Sequence, residues 1–142
     1  FELYIAASGA LDLNGLRITT TSESGSARGE TFQFDDCLSF APGTYVVVGQ
    51  SADTSLNGGV TVDVDLGLNE SFFFNSAQTV TVELDGVIID TASLASPEQG
   101  IAWSVASTPD AASNDAVGGW CLDASTGVFE GSGSPGYAGV CQ

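Results

Sequence analysis

The sequence predicts an all-β sandwich, and three observations carry that expectation. Apolar and polar residues alternate in short runs, turn residues interrupt them roughly every 8–12 positions, and nowhere does an apolar 3.6-residue period last three turns. Gly, Ser, Thr and Val dominate, which disfavours helix further.

The first strand is expected over Phe1 to Ile5. Leu11, Leu13, Leu16 and Ile18 straddle a turn at Asn14-Gly15. Thr31 to Phe34 alternates, with Phe32 and Phe34 on one face. Pro42-Gly43 turns into the β-branched run Thr44 to Val48, closed by Gly49. After Asn57-Gly58-Gly59, Val60, Val62 and Val64 alternate with Thr61, Asp63 and Asp65. The clearest unit runs from Thr79 to Ala92, where Asp85-Gly86 is suited to a type I′ hairpin. A regular hairpin sets Leu84 opposite Val87, Val82 opposite Ile89 and Val80 opposite Thr91, all on the core face, with Ile88 facing out. Beyond Ser96-Pro97 the signal thins. Ile101 to Val105 is apolar, Ser107 to Gly119 reads as a polar loop, and Trp120-Cys121 reads as an anchor. Gly127 to Gly139 is expected to be an ordered loop. Trp103 and Trp120 fit core or loop anchors better than ligand platforms. There is no internal repeat, and 142 residues suit one domain spanning 1–142.

Charge excludes several functions. Eighteen acids face only Arg17 and Arg28, for a net charge of −16, and His and Lys are absent. A phosphate backbone is bound by clustered Lys and Arg, so nucleic acid is not an expected partner. Anionic membrane surfaces are excluded on the same ground, and no apolar run is long enough for membrane insertion. Without His there is no Ser-His-Asp or Cys-His catalysis. No carboxylate pair stands out as a glycosidase pair. The expected chain is not an enzyme. Its self-repulsion should make stability and association salt-dependent.

Cys37, Cys121 and Cys141 are the three cysteines. Cys121 and Cys141 bracket the Gly/Ser-rich tail, and a disulfide between them would pin it. Pairing of Cys37 with either is the alternative, as are three reduced thiols. A chain poor in cations and rich in Ser, Thr and Gly fits an oxidising, extracellular or cell-surface setting.

In order, Phe1-Glu2-Leu3-Tyr4, Leu11-Asp12-Leu13-Asn14-Gly15-Leu16-Arg17-Ile18, Ala41-Pro42-Gly43-Thr44-Tyr45-Val46-Val47-Val48-Gly49, Asn57-Gly58-Gly59-Val60, Val80 to Asp90, Trp120-Cys121 and Gly133-Ser134-Pro135-Gly136 cover nearly the whole chain. Together they resemble the lamin-tail domain family in its secreted bacterial form. The resemblance implies an immunoglobulin-like β-sandwich and a non-catalytic module used for display, adhesion or assembly. That family usually has one more strand before the one Phe1 to Ile5 resembles. An unpaired edge is therefore expected there. It would be covered by upstream residues, by the C-terminal segment or by a strand from a neighbouring copy.

The candidate site residues follow. Phe72-Phe73-Phe74 is an aromatic run in which a strand would turn Phe73 away from its neighbours. The rings contact a partner subunit or a sugar, or are covered by the chain itself. With Phe1 and Leu3 they make the candidate interface. Asp63 and Asp65 share a strand face and are candidate metal ligands, with Ca²⁺ the cation; a solvated outer face is the competing reading. Asp35-Asp36 is a weaker pair, since neighbours on a strand point apart. No other cofactor is expected. The expected function is a self-assembling extracellular subunit whose partners are other copies of itself. The alternative is a carbohydrate-binding or adhesion module, with Ca²⁺ as its cofactor.

Overall fold

The computed structural model describes all residues except 34–35, 68–71, 99–100, 107, 126–132 and 142. The chain is all-β, about 40% strand and 2% helical, with several sheets, which is consistent with a β-sandwich. Among the described residues eleven strands follow one another: β1 Glu2–Tyr4, β2 Leu11–Asp12, β3 Leu16–Ser22, β4 Ala27–Thr31, β5 Ser39–Phe40, β6 Tyr45–Gly49, β7 Val64–Asp65, β8 Gln78–Leu84, β9 Val87–Leu94, β10 Trp103–Val105 and β11 Trp120–Leu122. They pair as a four-stranded sheet in the order β4-β3-β8-β9, a three-stranded sheet β1-β6-β7, and two ribbons, β2-β5 and β10-β11. Among the described residues only β6 and β7 run parallel.

Alternation builds the core. Along β3, Leu16, Ile18, Thr20 and Ser22 are buried, while the residues between them are not. Ile5, Val46, Val48 and Val64, from β1, β6, β7 and their margins, complete the cluster with Leu13, Phe32 and Phe72. Thr20 is a polar side chain at this depth, and its hydroxyl donates to the Phe72 carbonyl at 2.7 Å. That bond satisfies the hydroxyl and pins the start of the aromatic run.

Three local expectations need correction. The strand expected over Thr31 to Phe34 is displaced: β4 ends at Thr31, and Phe34 lies outside the described residues. Phe32 is nonetheless fully buried, held by reciprocal backbone bonds of 2.8 Å with Leu16 and Gly15. Of the alternating run Val60 to Asp65, only Val64–Asp65 is a strand.

The hairpin turn forms as expected, with positive φ at Asp85 and Gly86, and Leu84 pairs with Val87. Its register differs, because Val82 pairs with Asp90 and Val80 with Ala92. A bulge between Val82 and Glu83 leaves Ile89 as an extra residue on β9. Val80, Val82 and Leu84 still pack on the core, but Val87 and Ile89 do not; they are 64% and 44% exposed. The bulge sets Asp90 where its carboxylate accepts from Asn114 Nδ2 at 2.9 Å.

Candidate functional site

One edge of the three-stranded sheet is formed by β1. Phe1 and Ile5 exchange backbone bonds with β6: Val48 N donates to Phe1 O at 2.8 Å and Ile5 N to Thr44 O at 2.9 Å. In an antiparallel pair the groups alternate, so the N–H and C=O of Glu2 and Tyr4 point away from β6. Among the described residues no strand pairs on that side. Tyr4 is 36% exposed, and its ring lies 4.9 Å from that of Tyr45, its cross-strand neighbour. The C-terminal segment approaches the same face, where Gly136 N donates to Glu2 Oε1. Tyr137, the next residue, is 75% exposed. Burial raises the Glu2 carboxyl above the usual glutamate range, although the Gly136 bond opposes it.

The aromatic run is not a strand, and its three rings have separate surroundings. Phe72 is buried in the core. Phe73 sits edge-on to Phe72 at 5.0 Å and to Phe1 at 5.3 Å. Phe74 lies under the Arg28 guanidinium, 4.0 Å from the ring centre. Phe1 and Leu3 are partly buried against the core. Four of the five candidate interface residues, Phe1, Leu3, Phe72 and Phe73, therefore belong to the core or pack on it beside β1, with the Phe1, Phe72 and Phe73 rings in mutual contact, while Phe74 sits apart against Arg28 of β4.

The C-terminal segment is held by a clamp. Cys121 and Cys141 form a disulfide with a Cα–Cα distance of 5.4 Å. Beside it Asp123 is completely buried. Its Oδ2 accepts from the Ser104 and Ser134 hydroxyls at 2.9 and 2.8 Å, and its Oδ1 from Ser125 N and Val140 N at 2.8 and 3.2 Å. Burial pushes this carboxyl up, but the bonds from Ser125, Ser134 and Ser104 outweigh it and hold it well below the usual range. Gly139 passes so close that a Cβ there would collide with Ser104 Oγ. No sequence pattern singled out Asp123, because Ser104, Ser134 and Val140 come from distant segments. The local signal was Ser125 two residues on, the spacing of an Asx turn.

Asp63 and Asp65 are both exposed and both brace backbone. Asp63 Oδ2 accepts from Val47 N at 2.8 Å, and Asp65 accepts from Ala52 N at 3.0 Å and Gly67 N at 2.9 Å. Among the described residues no three His, Cys, Asp or Glu side chains gather as a metal cluster. Asp35 of the weaker pair lies outside the described residues, as do residues 126–132 of the Gly/Ser-rich tail.

Cys37 is the free thiol and is exposed. Its Sγ donates to Asp12 Oδ2 at 3.1 Å, and this bond is the main cause that raises the thiol above its ordinary value. A raised thiol carries less thiolate at a given pH. Asp12→Asn is therefore expected to speed alkylation of Cys37 by iodoacetamide at pH 8 several-fold; an unchanged rate would contradict this.

A cleft of about 1280 Å³ borders the β8–β9 hairpin, β1 and the β10-β11 ribbon, with Leu3, Val80, Val82, Trp103, Asn114 and Trp120 among its lining. Trp120 Nε1 donates to Asn114 O at 3.1 Å, tying the ribbon to the loop that bonds Asp90. Trp103 Nε1 and Asn114 Oδ1 are buried without a hydrogen-bond partner.

No helix among the described residues is long and apolar enough to cross a membrane. No protein-family model, curated protein or solved structure matches this chain.

Proposed function

We propose that this chain is a non-catalytic structural module of an extracellular assembly. It would join to other copies of itself by strand addition at the open edge of β1. The reading extends to an immunoglobulin-like sandwich of the lamin-tail kind, which rests on the sequence resemblance. The observation that carries the function is the outward-facing backbone of Glu2 and the outward N–H of Tyr4, whose C=O accepts from Ala6 N at 3.1 Å, with the Tyr4 ring beside them. Natural sheets cover or charge such edges, or use them for pairing. Glu2 is the only charged side chain on β1, and its carboxylate accepts from Gly136 N of the same chain. The disulfide supports an oxidising setting for the assembly.

Tyr4→Pro tests the reading. Proline removes an outward N–H and no bond to β6, so the sandwich should be retained while the edge is blocked. Tyr4→Lys, which keeps the backbone, is the companion variant. Light scattering after size exclusion in 0.5 M NaCl should give oligomers larger than a dimer for the parent chain and nothing larger than a dimer for both variants. Oligomers that persist unchanged in both would overturn the reading.

A second reading is favoured by the cleft. The indoles of Trp103 and Trp120 are among its lining, beside Asn114, which suits the apolar face and hydroxyls of a carbohydrate. A monomeric chain retarded on an immobilised polysaccharide would favour that reading over assembly. Ca²⁺ at Asp63 and Asp65 would compete with the backbone N–H groups those carboxylates already accept, and neither reading depends on it.

A further inference from the structure

We propose that β9 is a second docking edge whose partner is the same edge of another copy, paired antiparallel about a two-fold axis through Ile88. The two outer strands of the four-stranded sheet differ. On β4, Arg28 and Glu30 supply the charges that discourage strand addition. On β9, Val87, Ile88 and Ile89 are 64%, 62% and 44% exposed and bring no charge to the edge. The rest of that edge is engaged. Ser93 N donates to Asn114 O at 3.2 Å, and Thr91 N donates to Asp90 Oδ1 at 2.8 Å. The open stretch is therefore the apolar one.

Backbone geometry and charge select the same register. Leu84 and Val87 close a two-residue turn and form its hydrogen-bonded pair. Glu83 and Ile88 are the next pair, so the N–H and C=O of Ile88 point away from β8. Two copies meeting at Ile88 exchange both bonds there. Val87 then faces the partner's Ile89, Asp90 faces the partner's Gly86, and Asp85 faces the partner's Thr91. Every acid is opposite a neutral residue. With the axis at Val87, Ile89 faces the partner's Asp85; with the axis at Ile89, Ile88 faces the partner's Asp90; with the axis at Asp90, the two Asp90 carboxylates meet. Only the Ile88 register stacks apolar on apolar without setting an acid against either an apolar side chain or another acid. The net charge of −16 on each copy opposes the encounter, so pairing should strengthen with salt. This surface is separate from β1 and does not depend on it. A chain with two edges of this kind extends an assembly rather than closing it.

Cross-linking tests the register. In a Cys37→Ser, Tyr4→Pro background, which removes the native thiol and blocks β1, single cysteines are placed at Ile88, Ile89 and Glu30 and oxidised in 0.5 M NaCl. Facing residues of a hydrogen-bonded pair lie about 5.5 Å apart at Cα, within disulfide reach. Ile88→Cys is expected to give a covalent dimer at least tenfold faster than Ile89→Cys or Glu30→Cys. Ile88→Lys in the same background, with unchanged circular dichroism, should weaken dimerisation in sedimentation at least tenfold. Equal rates at positions 88 and 30, a fastest rate at 89, or a dimer indifferent to Ile88→Lys would each overturn the proposal. Because β1 is blocked throughout, none of these outcomes depends on the β1 reading.

Discussion

Asp123→Ala is expected to destabilise the chain by about 3 kcal/mol or more, seen as a fall in melting temperature of roughly 10 °C. The carboxylate is completely buried and accepts from two hydroxyls and two backbone N–H groups. The hydroxyls can turn toward other acceptors, but the N–H groups of Ser125 and Val140 cannot, and a buried donor left unpaired costs about 1–3 kcal/mol. Asp123→Asn keeps one acceptor oxygen and should fall between. The pH dependence has a definite sign. Hydrogen bonds hold the folded carboxyl below its unfolded value, which is about 3.9. Its contribution is therefore complete above that value and is lost as pH falls below it. The gap in stability between the parent and Asp123→Ala should be full at pH 6 and shrink toward pH 2. A gap that is constant across that range, or a change in melting temperature under about 2 °C, would contradict the clamp.

Reducing the Cys121–Cys141 disulfide, or replacing both cysteines by Ser, is expected to cost about 3 kcal/mol in urea unfolding. The bond closes a loop of separation 20, and the chain-entropy model gives that figure for a loop of this size. Asp123 and Cys141 face each other in an isolated bridge, so the disulfide and the carboxylate hold the same segment. Their effects should not add: once one is lost, the other has less ordered structure to stabilise. Strict additivity would place the two devices in independent units.

What the sequence conveyed was mostly local. Asp85-Gly86 fixes its turn through its own backbone preference, and the turn was legible without any neighbour. The register beyond it was not, since the bulge that sets Asp90 opposite Val82 goes with a bond to Asn114, which is distant in sequence. The pairing of Cys121 with Cys141 was readable as one of several options because the residues between them have little core of their own. Asp123 looked like one acid among eighteen, and Ser104, Ser134 and Val140 are brought to it only by folding. In Phe72-Phe73-Phe74 the composition identified an aromatic cluster. Its three destinations depend on Thr20, Phe1 and Arg28, far along the chain. The exposure of Val87 and Ile89 was not legible because the bulge between Val82 and Glu83 breaks the regular hairpin alternation.

Sedimentation velocity of the unmodified protein shows whether this chain assembles with itself through open sheet edges. Runs over a hundredfold range of concentration, at 0.05 and 0.5 M NaCl, cover both variables the account invokes. Species larger than a monomer should appear as concentration rises, and more of them at the higher salt, because shortening the Debye length weakens repulsion between chains of net charge −16. A single monomeric boundary at every concentration and at both salt levels would contradict the account.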